Sequence, residues 1–118
     1  MLRSLVLVVD DDKDNAELME AALEGAGFSV RVASSCGEAR AVMESASVDA
    51  LVTDLSLGDG DAIGLLGSLG DKRPRVAVVV SGHGSLEVQA RSRAAGFNEH
   101  FVKPVELGAL ARLLRASL

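Results

Sequence analysis

The chain has 118 residues, of which 48% are hydrophobic and 25% are charged. This length allows one domain with its own core and is short for two, so we expect a single domain over residues 1–118. The net charge of −5 argues against direct binding of nucleic acid or of an anionic membrane. The N-terminal apolar run is too short to span a bilayer and lacks a signal-peptide cleavage site. The one cysteine, Cys36, cannot form an intramolecular disulfide, so we expect a cytoplasmic protein in which Cys36 packs as a small apolar side chain.

The first half of the chain alternates between strand and helix patterns. A continuous apolar run at residues 5–9 is typical of a parallel strand covered on both faces, and it stops at three aspartates. Apolar residues at helical spacing then predict a helix over 16–26, which glycines end. A short strand is predicted at 28–33. Ser35 and Glu38 fit a capping box that opens a second helix.

The second half continues the alternation. A strand at 50–53 ends at Asp54, and the Gly- and Asp-rich stretch 56–61 is predicted as a loop. The remaining elements are a helix at 62–69, a strand at 76–80, a helix at 85–95, a strand at 100–102 and a helix at 107–118. Strict alternation of five strand–helix units predicts an α/β fold, a flavodoxin-like doubly wound parallel sheet of order 2-1-3-4-5 with five helices.

Polar residues follow four of the five predicted strands. Asp10 and Asp11 follow the first strand, Asp54 the third, Ser81 the fourth and Lys103 the fifth. Each has an ordinary explanation by itself, as a helix cap, a turn residue or a solvated side chain. In a parallel sheet, however, the carboxyl ends of the strands share one edge, and ligands bind there. The sequence therefore predicts a functional site built from these residues.

The residue types at this edge suit phosphoryl chemistry. Carboxylates that share a pocket repel one another unless a cation neutralises them, and Mg²⁺ prefers oxygen ligands. A carboxylate can attack phosphorus to form an aspartyl phosphate, while Lys103 supplies positive charge to the phosphoryl oxygens and the Ser81 hydroxyl donates to one of them. No GxxxxGK[ST] loop occurs in the sequence, so nothing in it indicates a nucleotide donor.

These residues resemble the receiver domain of bacterial response regulators over the whole chain. The resemblance rests on Val8-Val9-Asp10-Asp11, Thr53-Asp54-Leu55, Val80-Ser81-Gly82 and Phe101-Val102-Lys103-Pro104, in that order. It implies that Asp54 is the phosphoacceptor of a two-component system or phosphorelay, that Lys103 pairs with the phosphoryl group and that Ser81 is the switch hydroxyl. It also implies a Mg²⁺ site made of Asp11, Asp54 and the Ser56 carbonyl, with Asp10 acting through water. A cis peptide bond is implied before Pro104.

Two positions depart from the family pattern. Receivers usually have a proline where this chain has Gly58 and a glycine where it has Ala62, so we expect altered loop geometry with the chemistry retained. Asp12, beside the acidic pair, is interpreted as a solvated start to the first helix. His83 is expected to be exposed in the loop after the fourth strand.

The resemblance also implies partners and an output surface. The expected phosphodonor is a histidine kinase or a histidine phosphotransfer domain. His100 stands at the switch position, either as a half-buried histidine on an edge strand or as a ring that turns inward when Ser81 moves. We expect the face formed by the fourth helix, fifth strand and fifth helix to change on phosphorylation. The fourth helix is the weakest amphipath in the chain, so its packing should be the easiest to shift. The face carries arginines at positions 91, 93, 112 and 115, which favours a homodimer or an acidic partner.

Two other functions remain open at this stage. A phosphohydrolase of the haloacid-dehalogenase type would form its aspartyl phosphate on Asp10, but the Thr or Val that should follow its second Asp is missing. A receiver that is never phosphorylated would act only as an interaction module. We expect a signalling module that catalyses only its own phosphorylation and autodephosphorylation. The chain is either a stand-alone regulator or a receiver from a larger protein, and residues 96–104, which resemble receivers of hybrid histidine kinases, favour the second. We expect no DNA-binding or enzymatic output within the chain itself.

Overall fold

The computed structural model describes residues 3–82 and 84–118, so the prediction made for His83 lies outside it. Five long strands and five α-helices alternate along this part of the chain. They are β1 (Leu5–Val9), α1 (Lys13–Gly25), β2 (Ser29–Ala33), α2 (Cys36–Ser45), β3 (Ala50–Asp54), α3 (Ala62–Gly67), β4 (Val76–Ser81), α4 (Leu86–Ala95), β5 (Glu99–Val102) and α5 (Leu107–Ser117). Between β3 and α3 lies a short hairpin of Ser56–Leu57 and Gly60–Asp61, and a 3-10 turn, Gly70–Lys72, follows α3.

The five long strands form one parallel sheet of order β2-β1-β3-β4-β5. This is the predicted flavodoxin-like topology. The strand alternation explains why both faces are covered: Val6 and Val8 pack into the core shared with α1 and α5, whereas Leu7 and Val9 pack into the core shared with α2 and α3. The sheet therefore presents the carboxyl ends of its central strands at one edge between two helical layers.

The helix α4 buries fewer residues than any other α-helix. Of its ten residues, Ser92 alone is buried, and Leu86 at its start is 83% exposed. At its C-terminal end, Gly96 adopts a left-handed conformation and caps the helix. The Arg73 guanidinium also donates to the Ala95 carbonyl at 2.6 Å. This end of α4 is thus fixed to the segment that leads into β4.

Two helix starts differ in detail from the predictions. The first helix begins at Lys13 rather than near residue 16, because the Asp12 side chain caps it by accepting from two backbone N–H groups. At α2, Ser35 accepts from the Glu38 N–H as predicted, but the Glu38 carboxylate accepts from the N–H and hydroxyl of Ser34 rather than from the N–H of Ser35.

Among the described residues, no helix combines the length and apolar character that crossing a membrane requires.

Candidate functional site

The predicted site residues lie together at the carboxyl edge of the sheet. Asp54 is the last residue of β3, and Ser81 is the last residue of β4. Asp10 directly follows β1, where its N–H still bonds to the neighbouring strand β2. Lys103 follows β5, and its N–H donates to the Ser81 carbonyl at 2.8 Å. The parallel register therefore brings these residues into one crevice.

Three carboxylates form an acidic cluster in this crevice. Asp10, Asp11 and Asp54 each have an oxygen within 4.8 Å of the others; Asp10 and Asp54 are buried, whereas Asp11 is exposed. The Asp10 carboxylate also accepts from the Asp12 N–H at 2.8 Å, which fixes its orientation. A set of hard oxygen donors at this spacing fits a divalent cation such as Mg²⁺. Asp12 is exposed and its side chain caps α1, in agreement with its interpretation as a solvated start to that helix.

Lys103 is paired with Asp54. Its ammonium nitrogen lies 2.8 Å from Oδ1 and 3.0 Å from Oδ2 of the carboxylate. The Asp54 side chain is 9% exposed and that of Lys103 is 35% exposed, so one partner is buried while the other still reaches solvent. A cation therefore already contacts the buried carboxylate in the described structure.

Burial raises the pKa of Asp54 to about 6, with repulsion from Asp10 adding to the effect and Lys103 opposing it. Desolvation acts in the opposite direction on Lys103, but its hydrogen bond and attraction to Asp54 outweigh it, and the pKa of Lys103 is raised. The positive charge of Lys103 therefore only partly compensates for the burial of the Asp54 carboxylate and its repulsion by Asp10. This deficit is what a bound cation would remove.

The two predicted switch residues are in direct contact. The Ser81 hydroxyl lies 2.6 Å from His100 Nε2. Ser81 is buried and His100 is half-buried on the edge strand β5. His100 Nδ1 and the buried Ser92 hydroxyl of α4 have no hydrogen-bond partner among the described residues, and both residues line a cavity of about 20 Å³. A chain of polar groups therefore runs from the crevice through β5 toward α4.

A separate cavity of about 160 Å³ opens beside Asp54. Its lining includes Ser56, Ser81 and Lys103. The predicted metal ligand Ser56 therefore lies next to the acceptor carboxylate. The space is bordered by a carboxylate, an ammonium and a hydroxyl, which are the groups that an incoming phosphoryl group would need.

The stretch predicted as a loop after Asp54 contains the short hairpin, and one of its residues was missed by sequence reasoning. Asp59 at the hairpin tip accepts from the N–H groups of Cys36 and Gly37 at 2.8 and 3.0 Å. These hydrogen bonds lower the pKa of Asp59. Ala62 starts α3 in the ordinary helical region, with Asp61 as the cap. The contact between Asp59 and α2 joins distant segments, so no local pattern could reveal it.

Comparison with known proteins decides the family. The family model described as the response regulator receiver domain matches residues 6–115. The chain belongs to the response regulator receiver family. The peptide bond before Pro104 is cis, as the resemblance implied for a receiver domain.

Individual relatives agree with this membership. Over its whole length this receiver domain is 32% identical to the response regulator protein PilR of Pseudomonas aeruginosa, of which it spans 27%. It is 31% identical to an uncharacterized 14.6 kDa protein of Leptolyngbya boryana, covering 93% of this chain and 86% of that protein. A CheY-like receiver structure from Methanospirillum hungatei superposes with a TM-score of 0.90 at 28% identity, covering 98% of this chain and 93% of the other.

Proposed function

We propose that this receiver domain accepts a phosphoryl group on Asp54 from a phosphohistidine on a histidine kinase or histidine phosphotransfer domain. The observation that carries the proposal is the position of Asp54: a buried carboxylate at a strand end, facing two other carboxylates and one lysine. Asp10 and Asp11 lie at the same edge but lack the lysine contact of Asp54. A phosphohydrolase that uses Asp10 has no comparable support.

In the proposed reaction, an oxygen of Asp54 attacks phosphorus while the bond from phosphorus to the donor imidazole breaks. Asp11, Asp54 and the Ser56 carbonyl would hold Mg²⁺ directly, and Asp10 would hold it through water. When bound, Mg²⁺ would neutralise the carboxylates and the transferring oxygens. Lys103 moves its hydrogen bonds from Asp54 to a phosphoryl oxygen, and Ser81 donates to another. By the same groups the domain would catalyse only its own phosphorylation and dephosphorylation.

Labelling with a small phosphodonor tests the acceptor. Acetyl phosphate with Mg²⁺ should phosphorylate Asp54 and release acetate, and Asp54→Asn should abolish the added mass seen by mass spectrometry. Beryllofluoride with Mg²⁺ should bind the same carboxylate as a mimic of the phosphoryl group, which amide NMR would detect. Asp49→Asn is the control. Asp49 lies at the opposite edge of the sheet, away from the site, where its carboxylate accepts from the Leu5 N–H. Undiminished labelling of Asp54→Asn would refute the assignment, and labelling lost only in Asp10→Asn would favour the hydrolase.

The surface beside the acceptor fits the donor protein. A groove of about 390 Å³ shares Asp10 and Lys103 with the site and is otherwise mainly apolar, with Leu18, Met19, Pro104 and Leu107 among its lining residues. Leu18 of α1 is 64% exposed. A donor helix seated there would bring its phosphohistidine toward Asp54, since the groove and the site are continuous.

Transfer from a protein donor tests this groove separately from the chemistry. Leu18→Gln should slow transfer from a phosphorylated histidine phosphotransfer domain by roughly tenfold, as loss of an exposed apolar anchor does. It should leave labelling by acetyl phosphate unchanged. Val32→Gln is the control, because Val32 is an exposed apolar residue on β2. Equal slowing by both variants would exclude the groove.

Phosphorylation is proposed to act on the face formed by α4, β5 and α5. The Ser81–His100 contact supports this, because a hydroxyl drawn to a phosphoryl oxygen must loosen its bond to the histidine on β5. Arg91, Arg93 and Arg115 are exposed on this face, whereas Arg112 is paired with Glu106. We propose an acidic partner or a second copy of the chain as the reader, and a cytoplasmic location for the system.

A further inference from the structure

The hairpin after Asp54 has a tip that its own backbone does not fix. The tip, Gly58 and Asp59, joins two arms that pair over only two residues each, Ser56 with Asp61 and Leu57 with Gly60. A glycine stands on either side of Asp59, and Gly60 has a φ of +157°, close to the edge of the range that side chains avoid. Glycine residues leave the chain many conformations. Something other than local backbone preference must therefore hold the tip in place.

The Asp59 carboxylate supplies that restraint by binding the N-terminus of α2. Its two oxygens accept from successive backbone N–H groups, those of Cys36 and Gly37, while the Ser35 hydroxyl accepts from the next. A carboxylate at this position is favoured both by the unpaired N–H groups of the helix and by its dipole. Asp59 thus links the hairpin to an element that is itself packed against the sheet.

The base of the hairpin carries Ser56 beside the acceptor. Ser56 pairs with Asp61 in the hairpin and lines the same cavity as Asp54 and Lys103. The Leu55 N–H and carbonyl are bonded to β4 and to Ala62, so the chain is fixed just before Ser56. Beyond it, the orientation of the Ser56 carbonyl depends on the hairpin, and the tip of the hairpin depends on Asp59.

We propose that Asp59 is a positioning residue, which holds the Ser56 carbonyl in place for Mg²⁺ by fastening the hairpin to the start of α2. The inference rests on the proposed function, since it assumes the Mg²⁺ site. It explains how a loop with glycine at position 58 keeps a defined ligand position. When Asp59 is released, the competent hairpin becomes a smaller fraction of the population, and the apparent affinity for Mg²⁺ falls by that fraction.

Asp59→Asn and Asp61→Asn form a matched pair for the first test. Asparagine at 59 can accept only one of the two N–H bonds. The Asp61 carboxylate, in contrast, caps α3 through the Gly64 N–H, and Asp61 meets α2 only through its backbone carbonyl, which accepts from the Cys36 thiol and is retained in the variant. Both variants remove one negative charge from the same hairpin. Because the chain has no Trp or Tyr, Mg²⁺ binding is measured by calorimetry or by amide NMR. We expect a Kd about three- to tenfold weaker for Asp59→Asn, and a change under about twofold for Asp61→Asn.

Cys36 offers a second readout that does not involve activity. The residue is 1% exposed, and its thiol lies against the hairpin, 3.8 Å from the Asp61 carbonyl and 3.2 Å from the position that a Cβ on Gly60 would occupy. Labelling by a thiol reagent therefore requires the hairpin to lift. If Mg²⁺ binds only when the hairpin is closed, Mg²⁺ must slow the labelling by a factor that grows with its concentration.

The labelling is compared as the ratio of rates without and with Mg²⁺ in each variant. Burial, and then the nearby Asp59, raise the pKa of the Cys36 thiol, so Asp59→Asn also changes the intrinsic reactivity of the thiol. That change affects the rates with and without Mg²⁺ equally and cancels in their ratio. At one Mg²⁺ concentration the ratio should be smaller in Asp59→Asn than in the unchanged protein and should be retained in Asp61→Asn. Equal Kd changes in the two variants, or labelling that Mg²⁺ does not slow, would overturn the inference. No Mg²⁺ binding to the unchanged protein would overturn the proposed function and this inference with it.

Discussion

At the scale of single residues, Asp54 is held between opposing influences. Burial and the neighbouring Asp10 favour its neutral form, whereas Lys103 favours the carboxylate, and the outcome is a pKa of about 6. A group with this pKa is partly protonated in mildly acidic solution. A proton would therefore compete with the proposed Mg²⁺ for the same oxygens, and this competition would have measurable consequences.

Binding of Mg²⁺ should weaken as the pH falls. Above about pH 7 Asp54 is ionised and available as a ligand; below its pKa of about 6, a proton must be displaced first. We expect the affinity to fall by up to about tenfold per pH unit in that lower range. Calorimetric titrations between about pH 5 and pH 8 would show this, and an affinity independent of pH would contradict the raised pKa.

The same pKa predicts how the stability of the metal-free protein depends on pH. The unfolded carboxyl releases its proton near 3.8 and the folded one near 6, so between these values the folded state binds more protons. The contribution of Asp54 to the free energy of unfolding therefore falls as the pH rises from about 4 to 6, against the opposite contribution of groups with a lowered pKa such as Asp59. Asp54→Asn removes this penalty and should be more stable than the unchanged protein at pH 7 by about 1–3 kcal/mol. Urea unfolding at about pH 4 and pH 7 measures the gap, which should shrink at the lower pH.

At the scale of elements, Gly96 shows where a side chain would be incompatible with the fold. It has a φ of +110° as the cap of α4, and a Cβ there would collide with the Arg73 guanidinium that binds Ala95. Gly25, in contrast, has a negative φ at the end of α1 and open space around it. These two glycines therefore predict opposite results for the same substitution.

Gly96→Ala should destabilise the protein by roughly 1–3 kcal/mol, through backbone strain and displacement of Arg73. Gly25→Ala should be neutral or stabilise it by up to about 1 kcal/mol, because alanine is the better helix former. Thermal unfolding of both variants tests the contrast. A Gly96→Ala protein as stable as Gly25→Ala would mean that the cap is not needed.

The sequence predicted the elements and most of the candidate site, and its misses have a common cause. Apolar runs ended at Asp10, Asp54, Ser81 and Lys103, and parallel pairing must bring such ends together, so the crevice followed from the pattern. The contact from Asp59 to α2 spans 23 residues and depends on how the hairpin folds. The Ser81–His100 distance likewise depends on side-chain rotamers across two strands. Neither the Asp59 contact nor the Ser81–His100 contact can be predicted from the periodicity or composition of the sequence.

At the scale of the whole molecule, α4 is attached less firmly than the other helices, including α2 and α3, which bury Met43 and Leu65. On one face, α1 and α5 bury Met19, Leu23, Leu110 and Leu114 against the sheet. On the other, α4 contributes no large apolar side chain to the core and buries Ser92 alone. Local opening is easiest where few apolar contacts oppose it. If Asp54 is phosphorylated as proposed, α4 is the helix whose displacement would cost the least free energy.

Amide exchange and NMR would test this difference. Amides of α4 should exchange faster than those of α5 in the unmodified protein. Addition of beryllofluoride and Mg²⁺ should shift resonances across residues 84–115, beyond the acidic crevice. Shifts confined to the crevice, with α4 and α5 unchanged, would show that the α4–β5–α5 face is not the output surface.

The attachment of α4 at its C-terminal end also determines what kind of movement is available to it. Arg73 and the Gly96 cap act as a pivot. At the N-terminal end Leu86 is exposed, and the hydrogen bonds among the described residues there are local ones, to the Ser85 hydroxyl and the Gly84 carbonyl. A ten-residue helix is about 15 Å long and therefore acts as a lever. A small rotation at the pivot gives almost no movement at Ala95 and a displacement at Leu86 that grows with the length of the arm. A partner that contacts the Leu86 end would sense an amplified signal, whereas one that contacts the Arg73 end would sense a nearly constant surface.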